Sequence, residues 1–273
     1  MHDSTLPAIR FLLSDIDGTL LRPDHSLSQA TVEAVRRLRE AGIQFTLASS
    51  RPPRAMRQVI EALGIELPTV AFNGGTITHA DGRLLAAHRI PEPTVRTCLE
   101  LFATQELSIW VFADDQWLLQ DPQGAYVGHE RDTLGYEPVL VDSFEPWLDR
   151  VDKIVASSAD FDLLKALEAR LNPLIADAAL AARSQAYYLD VTALAANKGS
   201  ALVALAEYLG VPLAQTAAIG DGGNDVAMFR KAGLSIAMGQ AESGVASQAD
   251  RVTDSNQQDG VARAIERFIL PAS

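Results

Sequence analysis

The sequence predicts an α/β protein whose core is a doubly wound parallel sheet, interrupted by an inserted α+β domain. The first third of the chain alternates short apolar runs, typical of buried strands, with stretches of helical period. The same rhythm returns towards the C-terminus, and the less regular region between them contains all three tryptophans. We therefore expect a core made of residues 1–83 and 190–273, with residues 84–189 as the insert. Both parts are long enough to bury a core of their own.

The first half of the core is predicted to run strand, helix, strand, helix, strand. The helices are indicated by apolar residues at spacings of three and four, and each ends at a glycine. Strands that alternate with helices in this way indicate parallel pairing with right-handed crossovers. The predicted elements are strands at Ile9–Ser14, Phe45–Ala48 and Thr69–Phe72, and helices that carry Val32 to Leu38 and Met56 to Leu63.

The insert and the second half of the core follow from the same patterns. Asp81-Gly82 and Asp114-Asp115 each separate two apolar runs, which is typical of antiparallel pairs joined by a tight turn. After the insert, leucines at helical spacing precede two further strand-and-helix units. The predicted elements are strands at 107–113, 116–119, 153–156, 217–219 and 234–238, and helices at 161–171, 202–209, 226–232 and 261–269.

Charge and cysteine content restrict the function. The 273 residues include 23 Lys and Arg against 35 Asp and Glu, which gives a net charge of −12. Such a charge repels phosphate backbones and anionic lipids, so we expect no nucleic-acid or membrane partner. A single cysteine, Cys98, rules out an internal disulfide bond and favours a reducing, cytoplasmic setting. An anionic substrate would need a local source of positive charge, for which a metal ion is the obvious candidate.

The strongest motif follows the first predicted strand and reads Asp15-Ile16-Asp17-Gly18-Thr19-Leu20. In an open parallel sheet, ligands bind beyond the carboxyl ends of the strands. Two carboxylates placed there on a turn can approach one centre, and they would repel each other unless a cation or a proton lies between them. Taken alone, an Asp-x-Asp-Gly sequence is equally well explained as a simple turn.

Other predicted strands also end in polar or small residues. A hydroxyl and a cation follow the second strand at Ser49 and Arg51, and Asn73-Gly74 follows the third. Lys198 opens the helix after the insert, where a positive charge opposes the helix dipole. The predicted strand at 217–219 is followed by Gly220-Asp221-Gly222-Gly223-Asn224-Asp225. Each segment has an ordinary explanation as a cap or a turn, but their coincidence at one edge of the sheet predicts a shared site.

Together these segments resemble the four motifs of the haloacid dehalogenase superfamily, in the same order along the chain. The position of the insert and the Gly-Asp-Gly-Gly-Asn-Asp sequence resemble its class IIB, Cof-type members. The resemblance implies a Rossmann-like core with a cap that selects the substrate, dependence on Mg²⁺, and hydrolysis of phosphomonoesters. One departure is Ser49-Ser50-Arg51-Pro52 where Cof-type proteins commonly have Thr-Gly-Arg-Pro. The hydroxyl is kept, so this change concerns the fit of the substrate more than the type of reaction.

The resemblance also implies a role for each matching residue. Asp15 would be the nucleophile, Asp17 the general acid and base, and Lys198 a cation beside the phosphate. The metal would be held by Asp15, Asp221 and the backbone carbonyl of Asp17. The expected phosphate or substrate contacts are Ser49, Arg51, Asn73, Gly74 and Asn224, and the expected supporting residues are Thr19 and Asp225.

Two alternatives to a phosphatase remain open at this stage. A phosphomutase would use the same aspartate nucleophile, and a non-catalytic regulator would only bind phosphate. The expected partner is a small phosphorylated metabolite. Sugar phosphates are the leading candidates by family analogy, with flavin mononucleotide and pyridoxal phosphate as others. The oligomeric state cannot be predicted from the sequence, which is compatible with a monomer.

Overall fold

Residues 8–270 are described by a computed structural model and contain two β-sheets. In the core, strands and helices alternate along the chain as the sequence predicts. The strands are β1 (Phe11–Asp15), β2 (Gln44–Ala48), β3 (Thr69–Ala71), β4 (Thr76–Thr78), β5 (Leu84–Ala87), β6 (Ser108–Ala113), β7 (Gln116–Leu119), β8 (Val139–Leu140), β9 (Val151–Ser157), β10 (Ala179–Gln185), β11 (Tyr188–Ala193), β12 (Thr216–Gly220), β13 (Leu234–Ala237) and β14 (Arg251–Val252).

The α-helices lie between these strands. The helix ends follow local chemistry: Ser28 caps the first helix by accepting a hydrogen bond from the Thr31 N–H at 3.1 Å. The helices are α1 (Gln29–Glu40), α2 (Arg57–Leu63), α3 (Glu92–Ala103), α4 (Val127–Leu134), α5 (Phe161–Ile175), α6 (Lys198–Tyr208), α7 (Val226–Phe229), α8 (Ser243–Ala246) and α9 (Gly260–Ala264). No helix within residues 8–270 has the length and apolar character needed to cross a membrane.

The chain divides into two units. The first comprises the described residues of Met1–Ser50, Arg57–Leu85 and Asn197–Ser273. The second comprises Arg51–Met56 and Ala86–Ala196. The second unit therefore includes a short segment that follows β2, in addition to the continuous insert.

The sheet of the first unit has the strand order β14-β13-β12-β1-β2-β3-β4-β5. Pairing is parallel from β14 to β3, and β4 lies antiparallel to β3. Chain order runs outward from β1 in one direction through β2 and β3, and in the other through β12, β13 and β14. The order therefore reverses between β1 and β12, and this is the place where open α/β sheets bind ligands, beyond the carboxyl ends of the strands.

The sheet of the second unit has the order β10-β11-β9-β6-β7-β8 and is antiparallel except for the β7–β8 pair. Alternate strand residues pack with α3 and α5 in one buried cluster that includes Cys98. Burial raises the pKa of the Cys98 thiol to about 12, which makes it an inert core residue. Trp110 and Trp117 are also fully buried, with their rings edge to face at 5.5 Å.

The predicted α/β fold class with an inserted α+β unit is confirmed, and most predicted elements lie within a few residues of the observed ones. The Asp114-Asp115 turn is present, with both residues at positive φ as a two-residue hairpin requires. One predicted helix was too long, because the helix expected at 226–232 ends at Phe229. The helix expected at 261–269 is present, and its winding changes at Ile265 to wider π-helical turns that end at Ile269. Neither α4 nor the β10–β11 pair was predicted, since the exposed residues of α4 and β10 weaken the apolar period.

Candidate active site

The loop after β1 is shaped by a tight turn centred on Asp17 and Gly18. Asp17 has φ −80° and ψ 126°, and Gly18 has φ 78° and ψ −10°, which are the angles of a type II turn. That turn requires positive φ at its third residue, where glycine carries no steric cost. A Cβ atom at Gly18 would also lie 2.3 Å from Oδ2 of Asp221. The glycine therefore lets the loop that carries Asp15 and Asp17 press against the end of β12.

Lys198 is a fully buried cation at the first position of α6. Asn197 caps this helix by accepting a hydrogen bond from the Ser200 N–H at 2.9 Å. The Lys198 ammonium donates to Oδ1 of Asp15 at 2.5 Å and to Oδ1 of Asp225 at 2.6 Å. These two carboxylates explain how a positive charge is accommodated both inside the protein and at the start of a helix, where the dipole opposes it.

Both carboxylate oxygens of Asp225 accept hydrogen bonds from groups of the protein. Its Oδ1 bonds Lys198, and its Oδ2 accepts hydrogen bonds from the backbone N–H groups of Asp221 and Gly222, each at 2.9 Å. A side chain at Gly220 would place Cβ only 2.4 Å from the Asp225 carboxyl carbon, so the glycine is needed for this approach. Asp225 thus shapes the loop that presents Asp221.

Asp221 faces the β1 loop. The Thr19 hydroxyl donates to Oδ1 of Asp221 at 2.8 Å, which connects residues 202 positions apart. Thr19 is buried and Asp221 is partly buried. This bond fixes the carboxylate of Asp221 relative to the turn that carries Asp17.

The predicted phosphate-side residues are connected by a second set of contacts. The Asn73 N–H donates to the Ser49 carbonyl at 2.8 Å, and the Asn224 side-chain amide donates to Oδ1 of Asn73 at 2.9 Å. Asn73 adopts φ 57°, a left-handed conformation that asparagine tolerates. A Cβ at Gly74 would lie 2.5 Å from the Asn197 carbonyl oxygen, so Gly74 allows this turn to approach the start of α6.

Two further predicted residues are Asp17 and Arg51. The Asp17 carboxylate is 38% exposed and lies 3.8 Å from Nδ1 of His25, and it does not belong to the buried carboxylate group. A partly exposed carboxylate suits a group that exchanges protons with substrate and water. The Arg51 guanidinium donates to the Ala55 carbonyl at 3.4 Å, and Arg51 falls in the second unit.

The buried charges shift one another's pKa values. Burial raises the pKa of Asp15, and the neighbouring Asp225 raises it further against the opposing pull of Lys198. Burial alone would lower the pKa of Lys198, but the carboxylates of Asp15 and Asp225 outweigh it and raise that pKa. Burial also raises the pKa of Asp221, and the Thr19 hydroxyl partly counters this. The raised pKa of Lys198 keeps its ammonium protonated, and the raised pKa values of Asp15 and Asp221 show that this one cation does not fully compensate the burial of the carboxylates.

This donor set fits a divalent metal ion. Asp15, Asp221 and Asp225 each place a carboxylate oxygen within 4.8 Å of the others. One lysine balances only part of their combined charge, and hard carboxylate oxygens are the ligands that Mg²⁺ prefers. Because both Asp225 oxygens are already hydrogen-bonded, Asp15 and Asp221 are the carboxylates best suited to hold the ion.

One residue at this site was missed by the sequence reasoning. Gln240 donates through Nε2 to the Gly18 carbonyl at 2.5 Å, at the residue that lies against the Asp221 carboxylate. It lies three residues beyond β13, at the same edge of the sheet as Asp15 and Asp221. Its position after a parallel strand was the available signal, since the carboxyl ends of all such strands meet at that edge.

Fold and site together define an α/β protein of Rossmann-like topology, with acidic residues at the switch point of its parallel sheet. A family model described as haloacid dehalogenase-like hydrolase matches residues 12–265. The HMP-PP phosphatase of Cronobacter sakazakii is 33% identical over 227 residues, which cover 83% of each chain. The chain belongs to the haloacid dehalogenase-like hydrolases, and within them it is a phosphatase.

Solved structures agree with this assignment. A haloacid dehalogenase-like hydrolase from Bacteroides thetaiotaomicron superposes with a TM-score of 0.85 at 27% identity, covering 95% of this chain and 99% of that one. A protein described as a HAD subclass IIB sugar phosphatase shares the fold, with a TM-score of 0.82 at 24% identity and coverage of 95% and 98%. The Rossmann-like fold with an inserted unit, which the position of the insert led us to expect, is thus confirmed.

Proposed function

We propose that this enzyme hydrolyses small phosphomonoesters with Mg²⁺, through a covalent phosphate on Asp15. The observation that carries the proposal is the Asp15 carboxylate, buried against the Lys198 ammonium at 2.5 Å and within 4.8 Å of a carboxylate oxygen of Asp221. A nucleophile, a cation and a second metal-binding carboxylate are the parts that phosphoryl transfer needs, since positioning and charge neutralisation dominate its catalysis.

The proposed reaction has two displacements at phosphorus. A carboxylate oxygen of Asp15 forms a bond to phosphorus while the bond to the ester oxygen breaks, and Asp17 gives its proton to the leaving alkoxide. Asp17 then takes a proton from water, whose oxygen attacks the phosphorus and releases phosphate and free Asp15. Bound Mg²⁺, held by Asp15, Asp221 and the Asp17 backbone carbonyl, would supply positive charge that lets the anionic substrate approach.

The remaining predicted residues are proposed to contact the phosphate or the rest of the substrate. Ser49, Asn73 and Asn224 form one connected set through the bonds described above, with Gly74 leaving room beside them. Arg51 and the insert at residues 84–189 are proposed to act on the leaving group, so that the insert selects the substrate. Sugar phosphates are the proposed substrate class, and the named activity of the Cronobacter relative makes HMP-PP the first alternative to test.

Asp15→Asn tests the covalent mechanism. The change keeps the shape of the side chain and removes the nucleophilic oxygen, so turnover of phosphate esters should disappear while the fold remains. Asp24→Asn is the matched control, because Asp24 is an exposed carboxylate that hydrogen-bonds only within its own turn. Phosphate transferred from a labelled substrate should be trapped on the wild type by acid quenching and should be missing from Asp15→Asn. Near-normal turnover in Asp15→Asn would refute the mechanism.

A panel of phosphorylated metabolites tests the substrate and the type of reaction. Release of inorganic phosphate from sugar phosphates is expected, and HMP-PP is included as a separate arm. Activity should require added Mg²⁺ and be lost with EDTA. Formation of an isomeric sugar phosphate without free phosphate would identify a mutase instead, and hydrolysis that persists in EDTA would contradict the metal requirement.

A further inference from the structure

Gln240 sits where two parts of the candidate site meet. Backbone bonds hold its segment in place: the Met238 N–H donates to the Gly220 carbonyl at 2.9 Å, and the Gly239 N–H donates to the Asp254 carbonyl at 3.1 Å. The side chain of Gln240 therefore projects from a fixed segment adjoining the end of β12. This makes it suited to position other groups.

The hydrogen bonds of Gln240 settle which way its amide points. Its Oε1 accepts from the Asn256 N–H at 3.0 Å, and a backbone N–H can only donate. Nε2 must then face the other way, where it has two protons to give. The Gly18 carbonyl accepts one of these protons at 2.5 Å, and the amide of Gln240 also opposes the rise that burial causes in the pKa of the nearby Asp221.

The bond to Gly18 matters because the Gly18 turn lies against a second functional segment, the loop that carries Asp221. Gly18 forms the type II turn with Asp17, so a bond to its carbonyl fixes the peptide next to the proposed acid and base. Asp221 is held by Thr19 on its Oδ1, and a Cβ at Gly18 would lie only 2.3 Å from its Oδ2. By bonding the Gly18 carbonyl, Gln240 therefore fixes the turn that packs against Asp221.

We propose that Gln240 is a positioning residue that presets Asp221 and the Asp17–Gly18 turn for the divalent ion. A neutral amide suits this role, because a carboxylate would repel Asp221 and an ammonium would compete with the metal for it. The inference rests on the proposed function, since it assumes that Asp221 holds the ion. Residues that orient a metal ligand without touching the metal typically change its affinity by about 10- to 100-fold when they are removed.

The test measures metal binding directly, without substrate. Gln240→Met keeps the length of the side chain and removes both donors and the acceptor. Gln248→Met is the matched control, because Gln248 is an exposed glutamine that accepts from Arg230 at 3.3 Å. Titration of Mn²⁺ by calorimetry should give a dissociation constant at least tenfold weaker for Gln240→Met than for the wild type and Gln248→Met. The fall in kcat/KM for Gln240→Met should largely recover at saturating Mg²⁺.

The outcomes separate this inference from the proposed function. Mn²⁺ binding by the wild type, with Gln240→Met within twofold of it, would overturn the role of Gln240 and leave the phosphatase mechanism intact. A wild type that hydrolyses phosphate esters without binding Mn²⁺ would overturn both the metal site and the role of Gln240. Urea unfolding in EDTA checks that the variants are folded. Gln240→Ser, whose side chain is too short to reach Gly18, replaces Gln240→Met if that variant does not fold, with the same tenfold weakening expected.

Discussion

Replacing Gly18 by alanine should inactivate the enzyme because the new Cβ atom displaces Asp221. This effect can be separated by experiment from the backbone strain that the substitution also causes. Gly18 has φ 78°, and the new Cβ would lie 2.3 Å from Oδ2 of Asp221. Ordinary van der Waals contacts begin at 3.4 Å. Either the Asp221 carboxylate or the turn that carries Gly18 must therefore move by roughly 1 Å. Displacements of about 1 Å at a catalytic centre can cost about 100-fold in rate.

Gly42 supplies the control for this prediction. It follows α1 at φ 73°, nearly the same angle, and a Cβ there would meet nothing within 4 Å. Gly42→Ala therefore carries the left-handed strain alone, about 1–2 kcal/mol of stability. Gly18→Ala carries a similar strain and also displaces Asp221.

The two variants are compared by urea unfolding and by hydrolysis of p-nitrophenyl phosphate. Both should unfold at lower urea concentration than the wild type, whereas only Gly18→Ala should lose about 100-fold in kcat/KM and bind Mn²⁺ more weakly. If Gly18→Ala keeps kcat/KM within threefold of Gly42→Ala, the close approach of Gly18 to Asp221 is not needed for activity, and the reasoning fails.

Three further predictions concern stability. Lys198→Met should cost about 3–5 kcal/mol in the metal-free protein, because it leaves buried carboxylates without their cation, and adding Asp225→Asn should recover part of that loss in a double-mutant cycle. Burial raises the pKa of Asp152 to about 7. The stability that comes from the neutral Asp152 is complete below the unfolded pKa near 4 and is lost as the pH rises through 7. The free energy of unfolding, measured with urea, should therefore fall by up to a few kcal/mol between pH 5 and 8 in the wild type, and Asp152→Asn should remove this part of the pH dependence. Ser28→Ala should cost about 1 kcal/mol through loss of the α1 cap, and an unchanged urea midpoint would contradict it.

The sequence was most informative where an apolar run that indicates a buried strand ends in polar residues. Strands buried on both faces, such as β1 and β12, appear as apolar runs, and polar residues at their ends mark the edge of the sheet where ligands bind. Asp15 and Asp221 could therefore be assigned to one place from the ends of the predicted strands together with the order of the motifs. The turn glycines follow from the same logic, because Asp-Gly at a strand end indicates positive φ.

What could not be predicted depends on contacts between distant residues. The bond between Gln240 and Gly18 joins positions 222 apart, and no local pattern encodes it. The hydrogen bonds that Asp225 accepts from the backbone of its own loop depend on the conformation of that loop after β12. The spacing of the residues allows several conformations, so the sequence did not predict these bonds. Helices were also misjudged where tertiary packing outweighs propensity, as in α7, which ends three residues earlier than its apolar pattern suggests.

The cost of burying charge argues that this arrangement exists for chemistry. Ion pairs inside a protein contribute little net stability, and replacing them with apolar residues of similar volume is often neutral or favourable by about 1–4 kcal/mol. Lys198, Asp15 and Asp225 are nevertheless almost completely buried, with Asp221 close by to add further negative charge. A purely structural network would be expected to balance its charges. A site with an excess of carboxylate is instead suited to a divalent cation, and the cation in turn allows an anionic phosphate to approach an anionic nucleophile.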